Sequence, residues 1–139
     1  MHEQLILRVV AKFLIPVIVL FGLYVLFHGK LGPGGGFQAG VILASGLIVH
    51  LLVFGPDETR RIAPIPVLRG LAASGVLLYG GTGLASLALN ANFLDYNVLG
   101  STPLAGQYFG ILTIEIGVAV TVSSTMVLLS LVFAERVRP

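Results

Sequence analysis

Four long apolar stretches constrain the fold of this chain more than any other feature of its sequence. The hydrocarbon core of a bilayer requires about 20 mostly apolar residues per helix, and we place four such spans at about 9–27, 37–54, 67–89 and 108–133. None shows the strict polar–apolar alternation of a membrane β-barrel strand. The sequence therefore predicts an all-α integral membrane protein with four transmembrane helices.

Composition supports this prediction. Hydrophobic residues make up 56% of the 139 residues and charged residues only 10%, whereas a soluble domain carries about 25% charged residues. The hydrophobicity also excludes a disordered chain. The length suits a single membrane domain over residues 1–139. Because there is no cysteine, disulfides and thiolate metal sites are excluded. We interpret the net charge of +2 as residues flanking membrane helices rather than as a nucleic-acid site.

The three connections between the spans set the expected orientation. They are a short glycine-rich turn at 28–36, a polar segment with several prolines at 55–66, and a longer segment at 90–107. Four spans place both termini and the middle connection on one side of the membrane. That side carries seven basic residues: Arg8, Lys12, Arg60, Arg61, Arg69, Arg136 and Arg138. The other side carries only Lys30, so the positive-inside rule predicts a multi-pass protein of the cell membrane with both termini cytoplasmic.

Two ionisable residues inside the spans are candidates for an ion path. Glu115 lies in the fourth span, roughly 8 Å outward from its middle, and His50 lies in the second, roughly 7 Å toward the cytoplasmic side. An intramembrane acid normally faces protein or water, so Glu115 is either a protonatable group on an ion path or a carboxylate that only bonds a neighbouring helix or subunit. His50 is either a proton relay or cation partner or, as we favour, a histidine bonded to a carbonyl or hydroxyl group in a helix interface. The two residues lie in opposite halves of the bilayer, roughly 14 Å apart, and we do not expect them to touch.

A glycine-rich segment joins the first two spans: Gly32, Pro33, Gly34, Gly35, Gly36, Phe37, Gln38, Ala39 and Gly40. It formally matches a dinucleotide fingerprint, but no strand precedes it and no βαβ unit surrounds it, so we reject that function. Glycines permit unusual backbone angles in a tight or re-entrant turn, and Gly36 and Gly40 form a GxxxG pair that lets another helix approach closely. We favour close packing, with Gln38 placed to bond a partner's backbone. An ion contact by exposed carbonyl groups is the weaker alternative.

Small residues recur on the last two spans as well. The third span contains Gly70, Ser74, Gly81 and Ala85, and the fourth contains Thr113, Gly117, Thr121 and Thr125 at a spacing of four. Four helices have limited internal surface, so several such stripes indicate contacts with neighbouring subunits. His28 ends the first span near the membrane face opposite His50, which argues against a bis-histidine haem site. We expect neither a cofactor nor a metal.

The segment from His28 to Ala44 resembles the signature of the MrpB (also MnhB) family, small subunits of the multisubunit Na+/H+ antiporters called Mrp. Residues 114–121 resemble the last helix of the same family, and the resemblance covers nearly the whole chain in length and span order. It implies an accessory but required subunit, with other antiporter subunits as partners and Na+ and H+ as the transported ions. Carried over residue by residue, it reaches only the Gly-Pro-Gly-Gly-Gly-Phe-Gln turn and Glu115.

Three interpretations of function stay open. The first is an accessory antiporter subunit needed for assembly and lining an ion path. The second is a purely structural assembly subunit of a related complex, of the membrane-bound hydrogenase type. The third and least favoured is an autonomous small four-helix antiporter, which needs a central acid and an aromatic binding site, whereas this chain has its acid in the last span and no tryptophan. In each case we expect contact with membrane lipid and none with nucleic acid.

Overall fold

A computed structural model describes residues 2–29 and 34–137, with side chains from Gln4 onward. This part of the chain forms α1 (His2–His28), α2 (Gly36–Phe54), α3 (Pro56–Ile62), α4 (Ile65–Ala88), a 3-10 helix (Tyr96–Val98) and α5 (Pro103–Arg136). Within these ranges there is no β-strand. Residues Gln4–His28 of α1, together with α2, α4 and α5, are long and apolar enough to cross a membrane. The prediction of an all-α protein with four membrane helices is confirmed. Four residues discussed above lie outside the described residues: Lys30, Gly32, Pro33 and Arg138.

The last helix is longer than its predicted span. It begins at Pro103, because the Thr102 hydroxyl oxygen accepts a hydrogen bond from the Ala105 backbone N–H (3.2 Å) and a proline suits the first helical turn. Its 34 residues extend about 51 Å, whereas the hydrocarbon core is about 30 Å thick. The ends of α5 therefore reach beyond the hydrocarbon region or the helix is tilted within it.

The polar connection at 55–66 contains a short helix, α3, which was not expected because the segment has several prolines. Pro56 occupies the first turn, where its missing N–H costs nothing. Asp57 and Glu58 follow in the first turn, and Arg60 and Arg61 lie in the last. This charge order complements the helix dipole at both ends, so the short helix is stabilised by its own sequence.

The membrane helices pack in the order α1, α2, α5, α4, so that α2 and α5 are the central pair. The buried core is divided into two clusters. One comprises Ala44, Leu51, Ala63, Leu68, Val127 and Leu131. The other comprises Val25, Leu26, Ala39 and Ala119. We call the end of the bundle near the first cluster, where α3 lies, the basic end, and the end near the α1–α2 turn the turn end. The described basic residues Arg8, Lys12, Arg60, Arg61, Arg69 and Arg136 all belong to helix segments at the basic end.

Candidate functional site

Glu115 lies on α5 at the turn end, directly against the segment that joins α1 to α2. A Cβ atom added at Gly36 would overlap the Glu115 carbonyl group, and one added at Gly29 would lie 3.2 Å from Glu115 Oε1. The backbone of α2 therefore touches the backbone of α5 at this point, and the Glu115 carboxylate reaches toward the end of α1. A side chain at position 36 would prevent this backbone approach, and one at position 29 would lie 2.9 Å from the Gly35 backbone nitrogen.

One carboxylate oxygen of Glu115, Oε2, is buried and has no hydrogen-bond partner among the residues that the structure describes. The described side chains also place no Lys or Arg within 4 Å of it. A buried carboxylate left unpaired costs several kcal/mol in a bilayer. Glu115 therefore needs a proton, a water molecule, a cation or a group from outside the described chain.

Gly36 and Gly40 together form the contact between α2 and α5. Both are buried, and a Cβ atom at Gly40 would lie 2.9 Å from the Ala119 carbonyl oxygen and 2.9 Å from Val122 Cβ. Because Glu115 and Ala119 are four residues apart, the two glycines fit against one face of α5. This is the close helix approach that a GxxxG pair permits.

The rest of the glycine-rich turn has a different local role. Gly35 precedes α2 with φ of 141°, a backbone conformation that L side chains rarely adopt. A Cβ atom at Gly34 would lie 2.8 Å from the Val25 carbonyl oxygen, so this glycine packs against α1. Phe37 and Gln38 face outward, and Gln38 forms no hydrogen bond with the described residues. Gln38 Oε1 lies 3.0 Å from where a Cβ atom of Gly35 would stand, and both side chains are accessible to an external partner.

The contact between α4 and α5 also depends on small residues. A Cβ atom at Gly75 would overlap the Thr121 hydroxyl oxygen and lie 2.5 Å from the Gly117 carbonyl oxygen. The Thr121 hydroxyl donates to the Ala72 carbonyl oxygen at 3.1 Å. Two of the small residues expected on the fourth span, Gly117 and Thr121, are therefore used inside the chain.

The small residues singled out on the third span are not used in this way. Gly70, Ser74, Gly81 and Ala85 are all exposed. Cβ atoms added at Gly70 or Gly81 would meet nothing within 4 Å. This face of α4 is thus available to lipid or to a neighbouring subunit, while Gly75 and its neighbours make the contact with α5.

His50 lies at the basic end, where α2 meets α3. Its Nδ1 atom is 2.9 Å from the Thr59 hydroxyl oxygen, and Thr59 is fully buried. The Thr59 hydroxyl donates its own hydrogen to the Gly55 carbonyl oxygen at 2.9 Å, so Nδ1 is the donor to Thr59. In a neutral ring this leaves Nε2 as an acceptor. His50 is therefore bonded to a hydroxyl group at a helix junction.

His50 also lines an open cleft of about 670 Å³, which we call the basic cleft. Its other lining residues are Arg8, Lys12, Ile15, Pro16, Phe54 and Glu58. The Phe54 ring packs against the His50 ring with centroids 4.6 Å apart, and the Arg8 guanidinium lies 5.9 Å from the Phe54 centroid. This cluster was not predicted from the sequence. Its only local signal is the spacing of four between Arg8 and Lys12, which places both on one helix face.

The structure does not bring the two candidate ion-path residues together. Gly36 contacts Glu115, and His50 follows Gly36 by fourteen residues on α2, a rise of about 21 Å. Over the described ranges, no group of three His, Asp or Glu side chains could hold a metal ion. Any connection between Glu115 and His50 would need water or groups from other chains.

Comparison with known proteins identifies the family of this chain. The family model described as "Domain related to MnhB subunit of Na+/H+ antiporter" matches residues 6–128. The chain is 31% identical over 140 residues to a Bacillus subtilis (strain 168) protein named as a subunit of a Na(+)/H(+) antiporter, covering 91% of this chain and 97% of that protein. It is 34% identical over 131 residues to a Staphylococcus aureus (strain Newman) protein that bears the name antiporter subunit mnhB2, covering 87% and 92%. The chain therefore belongs to the family of MnhB-related subunits of Na+/H+ antiporters.

Proposed function

We propose that this chain is an accessory membrane subunit of a multisubunit Na+/H+ antiporter. The observation that carries the proposal is the match over 97% of a protein named as an antiporter subunit, because a match of that extent aligns the chain with a whole subunit. The site supports it as well. One acid in the middle part of α5, Glu115, and one histidine on α2, far apart, are too few for a complete antiporter. The remaining ion-handling groups come from other subunits.

Within that complex, Glu115 is the residue through which the chain contacts the ion path. Its unpartnered Oε2 atom supports this role, since a carboxylate is retained in a membrane helix when it binds a proton, a cation or a polar partner. The rival function is purely structural, and the backbone contact between Gly36 and Glu115 favours it, because the same residue is part of the α2–α5 packing. The two roles differ in whether the negative charge itself is needed.

Assembly of the chain with other subunits is the best test of the proposed function. An affinity-tagged copy, expressed in a strain from which the native gene is deleted, should copurify with other antiporter subunits and restore Na+-dependent ΔpH in everted vesicles. Copurification with subunits of a hydrogenase-type complex alone would favour the structural alternative. Na+/H+ exchange by the purified chain alone in proteoliposomes would instead establish an autonomous antiporter and contradict the proposal.

We further propose that the basic end lies in the cytoplasm of the cell, because Lys and Arg concentrate on the cytoplasmic side of membrane proteins. The chain has no cysteine, so a thiol reagent that labels a single-cysteine variant of this chain can react only at the introduced position. A cysteine at Ser101, exposed near the turn end, should react with an impermeant thiol reagent in sealed cells. One at Ile62, 62% exposed at the basic end, should react only after permeabilisation. The reverse labelling pattern would contradict this orientation.

A further inference from the structure

The basic cleft combines a polar rim with an apolar wall at one end of the bundle. Arg8 and Lys12 lie on one face of α1 and form part of the rim, while Ile15 and Pro16 continue the wall toward the membrane interior. Farther along the same side of α1, Leu20 and Leu23 are 67% and 39% exposed. The cleft therefore opens onto an apolar helix surface in the region where a membrane helix leaves the hydrocarbon core.

The cleft carries an excess of positive charge. The ion pairs between described side chains join Arg60 to Glu135 and Arg61 to Glu58. Among the described side chains that line the cleft, Glu58 is the one acid, and Arg61 already pairs with it at 3.1 Å. No described carboxylate lies within 4 Å of Arg8 or Lys12. A ligand that neutralises this site must therefore be an anion.

We propose that the basic cleft binds the headgroup of an anionic phospholipid, with the phosphate between Arg8 and Lys12 and an acyl chain along Pro16, Leu20 and Leu23. A lipid fits better than a free phosphate ion because the cationic rim continues into exposed apolar surface, and a phospholipid has both chemistries in the same order. Basic pockets between membrane helices bind anionic headgroups in this manner. Because His50 Nδ1 donates to Thr59, Nε2 of the neutral ring is an acceptor at the cleft, which can bond a hydroxyl group of the headgroup but not its phosphate oxygens. This inference concerns the basic end alone and does not depend on the ion that the complex transports.

Native mass spectrometry of the full chain, titrated with phosphatidylglycerol or phosphatidylcholine, tests the proposal. The wild-type chain should retain one phosphatidylglycerol in preference to phosphatidylcholine. The double variant Arg8→Gln/Lys12→Gln should bind phosphatidylglycerol roughly thirtyfold more weakly, because each basic residue near the membrane surface contributes several-fold in affinity. The matched control Arg69→Gln/Arg136→Gln removes two charges from the same end outside the cleft and should bind as the wild type does.

Two results would overturn the proposal. One is equal binding of both lipids by the wild-type chain, and the other is unchanged phosphatidylglycerol binding by the double variant. Helix content measured by circular dichroism shows whether the variants fold. If the double variant does not, the charge-preserving swap Arg8→Lys/Lys12→Arg and the single Gln variants are compared, and the singles should each lose roughly fivefold.

A photo-crosslinking residue at Phe54 extends the test to the assembled complex in its membrane. Phe54 lines the cleft and contacts both His50 and Arg8. Crosslinking to phospholipid, lost in the Arg8→Gln/Lys12→Gln background, supports the proposal. Crosslinking to another subunit and not to lipid would show that a protein occupies the cleft, and the proposal would then be wrong.

Discussion

The two ends of the bundle hold their ionisable residues in opposite ways. At the turn end, Glu115 is pressed against the backbone of α2 at Gly36, yet one of its carboxylate oxygens has no partner in the described chain. At the basic end, His50 has its hydrogen-bond partner nine residues away in Thr59, and an open cleft beside it. His50, whose Nδ1 atom has a hydrogen-bond partner within the chain, thus borders an open cleft. Glu115, which has a carboxylate oxygen without a partner in the described chain, lies in a tight helix contact.

This contrast indicates different dependence on other molecules. His50 is satisfied by the short connection through α3, so its geometry is set by the fold of this chain. Glu115 requires something that the described chain does not supply, and a charged carboxylate without a partner is costly in a bilayer. We therefore expect loss of the His50 hydrogen bond at the basic end to alter the stability of the chain. At the turn end we expect a bulky side chain to disrupt assembly and loss of the Glu115 charge to alter ion transport.

The largest expected effect comes from breaking the turn end with Gly36→Leu. Its Cβ atom would overlap the Glu115 carbonyl group, and a clash with backbone cannot be relieved by a rotamer change. Overpacking of this kind costs typically about 1–3 kcal/mol and occasionally more, and we expect the complex to be lost from a native gel. Gly80→Leu is the control, because a Cβ atom there meets nothing within 4 Å. An intact, active complex carrying Gly36→Leu would show that α2 and α5 do not meet as described.

A smaller effect is expected at the basic end from Thr59→Val. The change keeps the shape of the side chain but removes the acceptor of His50 Nδ1, and the loss of one such partly buried hydrogen bond costs about 0.5–1.5 kcal/mol. Thermal unfolding of the purified chain should show the loss. Ser74→Ala is the matched control, since the Ser74 hydroxyl is exposed and bonds only the Leu71 carbonyl oxygen of its own helix. Equal unfolding temperatures for Thr59→Val and the wild type would indicate that His50 does not depend on Thr59.

The smallest expected effect is at the ion pair between Arg60 of α3 and Glu135 of α5. These side chains are 43% and 33% exposed, so solvent screens their attraction. Exposed ion pairs contribute about 0–1 kcal/mol, and we expect Glu135→Gln to change the unfolding temperature little and less still in high salt. A loss as large as that of Thr59→Val would mean that this pair, rather than the His50 hydrogen bond, fixes α3 to the bundle.

Sequence alone predicts the spans because apolar length is a strong signal, but it does not predict which face of each span packs. All four spans are apolar around most of their circumference, so small residues are the only guide. Small residues correctly indicated the packed face at Gly36 and Gly40, whose neighbours on α5 lie within contact distance. On α4 the contact uses Gly75 instead, while Gly70 and Gly81 face outward.

The basic cleft could not be predicted from the sequence for a different reason. Its lining residues come from α1, α2 and α3, and no local pattern shows that these three segments meet. Because the 55–66 connection contains several prolines, it was predicted as a polar connection without a helix. Pro56 and the acidic residues that follow it are nevertheless typical of a helix start. The position of Glu115 in a membrane helix was readable from sequence, but its unpartnered oxygen required the arrangement of α1, α2 and α5.

Na+-dependent ΔpH in everted vesicles carrying Glu115→Gln is the most direct test of the claim that the negative charge of Glu115 serves the ion path. Glutamine keeps the shape and most of the hydrogen-bonding capacity but cannot titrate, so antiport should fall or its pH profile should shift while the amount of assembled complex stays normal. Glu135→Gln, which removes a partly exposed carboxylate at the opposite end and outside the basic cleft, should leave antiport unchanged. Wild-type activity with an unshifted pH profile in Glu115→Gln would contradict the ion-path role and leave Glu115 as a packing residue.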